Sequence, residues 1–157
     1  MNQVFIVLML CLMLMGCEET AGKKDFDREL VRQEAKTTLE NYFADIRSEG
    51  LSAEFKYLDS SADFFWVPPG YSSALNYDSV RAILEKNAKS FQLVEFKWRS
   101  LEIYPLSDHY VNYTGIVDGK LVDTSGVSSL TSMIETGLLV RTKEGWKIRS
   151  GQSRNLD

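Results

Sequence analysis

Apolar and polar positions alternate with different periods along this chain, and the period changes mark its elements. An unbroken apolar run from Val4 to Met15 opens the sequence and is followed by a polar stretch. Phe26, Leu30, Leu39, Phe43 and Ile46 then recur at helical spacing, with Ala35 and Tyr42 on the same side, which predicts a long helix. Asp25 or Asp27 can cap its start and Gly50 can end it. A short second helix is expected over 52–58, with Phe55 and Leu58 inward, followed by a turn over 59–63. Phe64-Phe65-Trp66-Val67 reads as an aromatic strand halted by Pro68-Pro69-Gly70. The stripe Val80, Ile83, Leu84, Ala88 and Phe91 predicts a third helix over about 78–90.

Beyond it the period becomes two. Val94, Phe96 and Trp98 share a face, and a register break near Arg99-Ser100 turns Leu101 and Ile103 inward, which predicts a bulge. Strands are expected over 110–117 and 127–141, with Asp118-Gly119 as a hairpin signal between them. Lys143-Glu144-Gly145 is the last turn before a strand over 146–152 on which Trp146, Ile148, Ser150 and Gln152 share one face.

The first apolar run has its own meaning. Twelve residues span roughly 18 Å as a helix, short of the ~30 Å hydrocarbon core of a bilayer. The run reads instead as a cleaved secretory signal, with the small Gly16 at the cut and Cys17 directly after it. Met1-Asn2-Gln3 holds no Lys or Arg, so its only positive charge is the α-amino group. Leu14-Met15-Gly16-Cys17 has the form of a bacterial lipobox, which predicts acylation of Cys17 with palmitate-length chains. At ~0.8 kcal/mol per buried CH₂, even two such chains hold a protein firmly on a membrane. Residues 1–16 are thus the expected signal peptide, 17–24 the lipidated cysteine and tether, and 25–157 a single domain. As flexible coil, Glu18 to Lys24 reaches roughly 15 Å, keeping that domain close to the lipid surface.

Composition narrows the picture. The net charge of −4 falls wholly after residue 16 and offers no basic stripe for nucleic acid. Cys11 leaves with the signal and Cys17 is consumed by the lipid, so no internal disulfide is available and a hydrophobic core must carry stability. An apolar fraction of 44% suffices for one domain.

The order helix, helix, strand, helix and four meandering strands resembles the NTF2-like superfamily, especially its SnoaL-like and ketosteroid-isomerase-like branch. The resemblance rests on Ala62-Asp63-Phe64-Phe65-Trp66-Val67-Pro68, Gly137-Leu138-Leu139-Val140-Arg141 and Glu144-Gly145-Trp146-Lys147-Ile148. It implies an α+β cone in which N-terminal helices pack on a strongly bent, mostly antiparallel sheet. A pocket at the wide end and frequent homodimerisation through the sheet are further implications.

Candidate chemistry is sparse. Tyr42 stands where the resemblance places an oxyanion tyrosine, though it also reads as a core residue with a satisfied hydroxyl. Val67 occupies the position of that branch's catalytic carboxylate, and Asp63 lies four residues earlier. Gln152 stands where many SnoaL-like chains carry histidine, and it cannot titrate near neutral pH. His109 follows Ser107-Asp108 in an expected exposed turn, and Asp123 belongs to the turn chemistry of Thr124-Ser125-Gly126. Glu135 shares a face with Thr131 and Met133; if the opposite face, bearing Leu130, is the core side, Glu135 points to solvent or a dimer interface. No metal-ligand spacing and no cofactor motif is evident.

The expectation is therefore a lipid-anchored envelope protein, leaning non-catalytic. Resemblance to enteric lipoproteins, which Asp after the cysteine holds at the inner membrane, favours the outer membrane facing the periplasm over the inner one, since Glu18 stands there. Tyr42, Phe65, Trp66, Trp98, Tyr113 and Gln152 are the expected walls for a small apolar ligand, each equally readable as core packing. A protein partner is the other binding option. One alternative is an acid–base isomerase or dehydratase, which an inward carboxylate beside Tyr42 would favour. Another is a structural dimerisation module using Ser128, Ser132, Thr136 and the Tyr71–Tyr77 loop.

Overall fold

The structure, a computed structural model, describes residues 26–156; the expected signal peptide, Cys17 and the tether lie outside the described residues. Helix α1 (Arg28–Glu49) begins where Asp27 accepts hydrogen bonds from the amides of Glu29 and Leu30 at 3.1 and 3.0 Å. Such a cap contributes about 1 kcal/mol. Gly50, at φ +85°, ends the helix as expected. The buried stripe runs Val31, Ala35, Leu39, Tyr42, Phe43 and Ile46. Leu30, expected inward, is 55% exposed because Val31 holds the i−4 position below Ala35 on that stripe.

A six-residue 3₁₀ segment, Leu51–Lys56, replaces the predicted second α-helix, and strand β1 is Phe65–Val67. Helix α2 (Tyr77–Ala88) is capped by Asn76 and leads into β2 (Phe91–Pro105). Strands β3 (Tyr110–Asp123), β4 (Ser128–Thr142) and β5 (Gly145–Asn155) follow. The sheet order is β1-β5-β4-β3-β2, antiparallel except that β1 runs parallel to β5. Helices thus precede and cover a curved, open, mixed five-strand sheet, the α+β cone that the sequence resemblance implies.

One expected turn is misplaced. Asp118-Gly119 lies within β3, paired to Lys97 and Phe96 on one side and Ser132 and Thr131 on the other. The chain reverses instead at Asp123, whose Oδ1 accepts from Ser125 N and Val127 N at 2.9 Å each, while Gly126 takes φ +87°. A carboxylate that satisfies two turn amides outcompetes the weaker Asp-Gly signal, and each strand gains several paired residues.

Two of the sheet's three register shifts set which side chains face inward. Trp98 pairs with Val117 and Ser100 with Ile116, leaving Arg99 as the extra residue at the break expected there. A second bulge was not foreseen: Leu139 pairs with Ile148 and Leu138 with Ser150, so Arg149 is extra in β5. Asp59 holds that bulge, accepting from Arg149 Nε at 2.7 Å and donating its amide to Ile148 O at 2.8 Å. The inserted residue inverts the alternation beyond it. Ser153 therefore becomes buried and Gln152 exposed, correcting the inward placement of Gln152.

Close approach of β3 and β4 depends on Gly137, opposite Tyr113. A Cβ there would stand 2.6 Å from Tyr113 Oη. We expect Gly137→Ala to lower stability by about 1–3 kcal/mol through overpacking, read as an earlier urea midpoint. An unchanged midpoint would contradict the packing described.

Candidate functional site

Helix α1, the 3₁₀ segment, α2 and the inner sheet face enclose a cavity of about 240 Å³. Its walls are mostly apolar and include the rings of Tyr42, Phe43, Phe64, Trp66, Phe91 and Phe96. Two carboxyls also line it, Glu54 from the 3₁₀ segment and Glu135 from β4. Glu135 is 7% exposed, and Glu54 is half-buried where it opens onto the cavity.

Each carboxyl receives one phenol. Tyr42 Oη donates to Glu54 Oε2 and Tyr113 Oη to Glu135 Oε1, both at 3.0 Å. Among the described residues no donor reaches the second oxygen of either carboxyl. No sealed polar atom lacks a partner, so those oxygens keep some accessible surface, and both residues border the cavity.

The electrostatics follow from this packing. Burial pushes the Glu54 carboxyl up to about 8; the Tyr42 hydrogen bond opposes the shift and the nearby Glu135 charge adds to it. Burial likewise raises Glu135 to about 7 against the pull of Tyr113. Tyr42 and Tyr113 are held well above the ordinary phenol range, chiefly by burial and then by their carboxylate neighbours. Both phenols therefore remain donors at every physiological pH, while both carboxyls titrate near neutrality.

The expected wall residues fare differently. Tyr42 and Trp66 border the cavity. Tyr113 is fully buried one layer behind and reaches it through Glu135. Trp98 packs edge-on against Tyr113 at 6.0 Å and donates Nε1–H to Leu39 O at 3.2 Å, so it props the wall from within the core. Phe65 is 48% exposed because β1 turns its alternate side chain, Trp66, inward. Gln152 faces outward for the reason given above, and Ser153 borders the cavity in its place. His109 is exposed in the turn between β2 and β3. Among the described residues, no group of three or more His, Cys, Asp or Glu is placed to hold a metal ion.

Glu135 requires the largest correction. Leu130 and Ile134 lie on the outer face, 82% and 37% exposed, so the core side is the one bearing Met133, Glu135 and Leu139. Both faces of β4 carry apolar residues, so alternation alone does not choose between them. Gly137 was the available signal, since a glycine on the Glu135 face allows a large ring opposite. Glu54 is a further carboxyl of the cavity that the sequence pattern does not single out. Its signal was position: it lies three residues after Leu51 and four before Leu58, a charge on an apolar stripe.

A family model described as a SnoaL-like domain matches residues 35–153. The chain belongs to that SnoaL-like family. Among curated proteins none matches its sequence. Solved structures similar in fold include an NTF2-like superfamily protein from Salmonella enterica serovar Typhimurium, at TM-score 0.71 and 13% identity, covering 82% of this chain and 93% of that one. A candidate dehydratase of the NTF2-like family from Streptomyces avermitilis is similar at TM-score 0.70 and 13% identity, covering 82% and 99%. A candidate scytalone dehydratase from Novosphingobium aromaticivorans is similar at TM-score 0.70 and 14% identity, covering 82% and 87%. At these identities the likeness is one of NTF2-like fold.

The raised carboxyls make a pH prediction. An acid whose folded pKa exceeds its unfolded value of 4.5 binds its proton more tightly when folded. Its stabilisation is complete below 4.5 and is lost as pH rises through about 7 for Glu135 and about 8 for Glu54. We expect Tm to fall between about pH 5 and 8.5, and Glu54→Gln with Glu135→Gln to flatten that slope. A Tm rising with pH across this window, unchanged in the double variant, would refute the assignment.

Proposed function

We propose that this SnoaL-like protein is an acid–base enzyme of the isomerase or dehydratase type, acting on a small, largely apolar molecule. The reading rests on one observation: two carboxyl–phenol pairs open into a single apolar cavity. Burying an ionisable carboxyl costs stability, and an apolar binding pocket has no use for two of them. Catalysis has such a use, because an acid and a base near neutrality exchange protons efficiently with a bound carbon acid.

Glu135 is the first to ionise and serves as the base, its charge steadied by Tyr113. It takes a proton from a carbon next to an electron-withdrawing group. In an isomerisation the same carboxyl returns that proton to a neighbouring carbon. In a dehydration Glu54, still protonated, gives its proton to the departing hydroxyl, and water leaves. Tyr42 donates to the Glu54 oxygen and stabilises the carboxylate that remains. The cavity is smaller than the ~300 Å³ lower end of drug-sized sites, which favours a substrate of one ring or its open-chain equivalent.

The test is NMR in D₂O with small cyclic ketones and β-hydroxy ketones, following α-proton exchange and loss of hydroxyl. Wild-type protein should accelerate one of these, and Glu135→Gln should reduce the rate by about 10²–10⁴. A wild-type rate no faster than buffer, or one unaffected by Glu54→Gln and Glu135→Gln, would overturn the reading.

The cellular setting is a separate proposal carried by the sequence: processing before Cys17 and lipidation of that residue tether the domain to an envelope membrane. Labelled palmitate should enter the wild-type protein and not Cys17→Ser, and only the wild type should sediment with membranes. Unlabelled wild-type protein in the soluble fraction would rule this out.

A further inference from the structure

A ligand can be classed by what a cavity offers and by what it lacks. Among the residues bordering this one there is no Lys, Arg or His, so its two acids face no protein cation. Arg149 is committed to Asp59, and Arg81, over the Phe55 ring, is committed to Glu85 outside the cavity. Glu54 and Glu135 both border the space, each with one carboxyl oxygen that no protein donor reaches. Around them stand the faces and edges of Tyr42, Phe43, Phe64 and Trp66.

Each of these features disfavours one class of occupant. An anion would meet two acids and no protein cation, so like-charge repulsion opposes its binding. A neutral apolar molecule would fill the walls but leave two desolvated carboxyl oxygens unpaired. A protonated amine on an apolar body meets both needs. Its N–H groups satisfy a carboxylate by a charge-assisted hydrogen bond, and its charge lies over ring faces that attract cations. A single ammonium balances a single carboxylate, leaving the second carboxyl to move a proton.

We propose that the cavity binds a small organic amine in its protonated form, with Glu135 as the ammonium partner and the aromatic walls enclosing its apolar body. Glu135 is the partner because it is the more deeply enclosed of the two and projects from a strand held on both sides. Holding the ammonium takes Glu135 out of the base role, so for an amine substrate Glu54, on the short 3₁₀ segment, takes the carbon-bound proton and returns it as in the isomerisation. This deepens the acid–base reading by naming its substrate class, and it rests on that cavity being the ligand site.

Calorimetry and thermal shift with three isosteric probes test it: phenethylamine, phenethyl alcohol and phenylacetate, each against the intact protein at pH 7. The amine should bind at least about tenfold tighter than the alcohol, the difference of one charge-assisted hydrogen bond, and phenylacetate should not bind. Amine binding should also release protons, seen as a dependence of the measured heat on buffer ionisation enthalpy, because pairing with the cation favours the ionised carboxyl. Glu135→Gln should remove the preference for amine over alcohol while retaining the alcohol. Should that variant not fold, Leu84→Trp, which narrows the cavity without touching either acid, should weaken amine and alcohol alike.

Alcohol binding as tightly as amine would overturn the amine proposal and leave the acid–base reading standing. Binding of none of the probes, with no change in Tm, would overturn both. Amine binding that survives Glu135→Gln and Leu84→Trp unchanged would place the amine elsewhere and overturn the proposal.

Discussion

The Tyr113 hydroxyl reaches across the sheet to Glu135 at 3.0 Å, beneath helix α1, and the rest of the molecule is arranged so that it can. That contact needs both residues on the inner face, a ring lying flat over the neighbouring strand, and no side chain beneath the ring. Gly137, paired with Tyr113, supplies the last of these. Trp98 packs edge-on against the ring and is tied to α1 through Leu39 O, fixing the tyrosine from the other side. A buried carboxyl survives in this core because its hydrogen bond replaces part of the hydration it has lost. Without the phenol, Glu135 would be an unpaired acid in a hydrocarbon interior.

Glu54 and Tyr42 repeat the arrangement across the cavity from a different part of the chain. The two pairs resist one another, since the charge of Glu135 makes ionisation of Glu54 harder. Such a pair is costly to stability, and the acid–base function proposed above is what it would serve. The ion pair of Asp59 and Arg149 belongs to the scaffold rather than to this chemistry. It secures the β5 bulge, and that bulge delivers Ser153 to the cavity wall.

Much of the fold was legible in local patterns. The long helix, its Asp27 cap and Gly50 stop, the bulge at Arg99 and the final hairpin all follow from spacing that acts over a few residues. The hairpin signal at Asp118-Gly119 shows the limit: a second turn signal begins five residues later at Asp123, and the one with more satisfied amides prevails. The cavity was less legible. Tyr42 and Trp66 are legible as wall residues, whereas Phe65 faces outward by alternation with Trp66 and Gln152 because the β5 bulge inverts its strand. Glu54 was passed over because one acid on a short amphipathic segment resembles any solvated charge.

By itself the sequence determined the secondary elements, their order, the SnoaL-like kinship and the absence of any disulfide option for the domain, because those depend on residue type and local spacing. It also carries the Leu14-Met15-Gly16-Cys17 pattern on which the proposed lipidation rests. Tertiary structure alone decided which face of β4 is inside. Both faces offer apolar residues, and the fold turns Met133, Glu135 and Leu139 inward while leaving Leu130 and Ile134 outside. That choice converts Glu135 from a surface acid into a buried one. It also brings it into the cavity shared with Glu54, a residue eighty-one positions earlier in the chain.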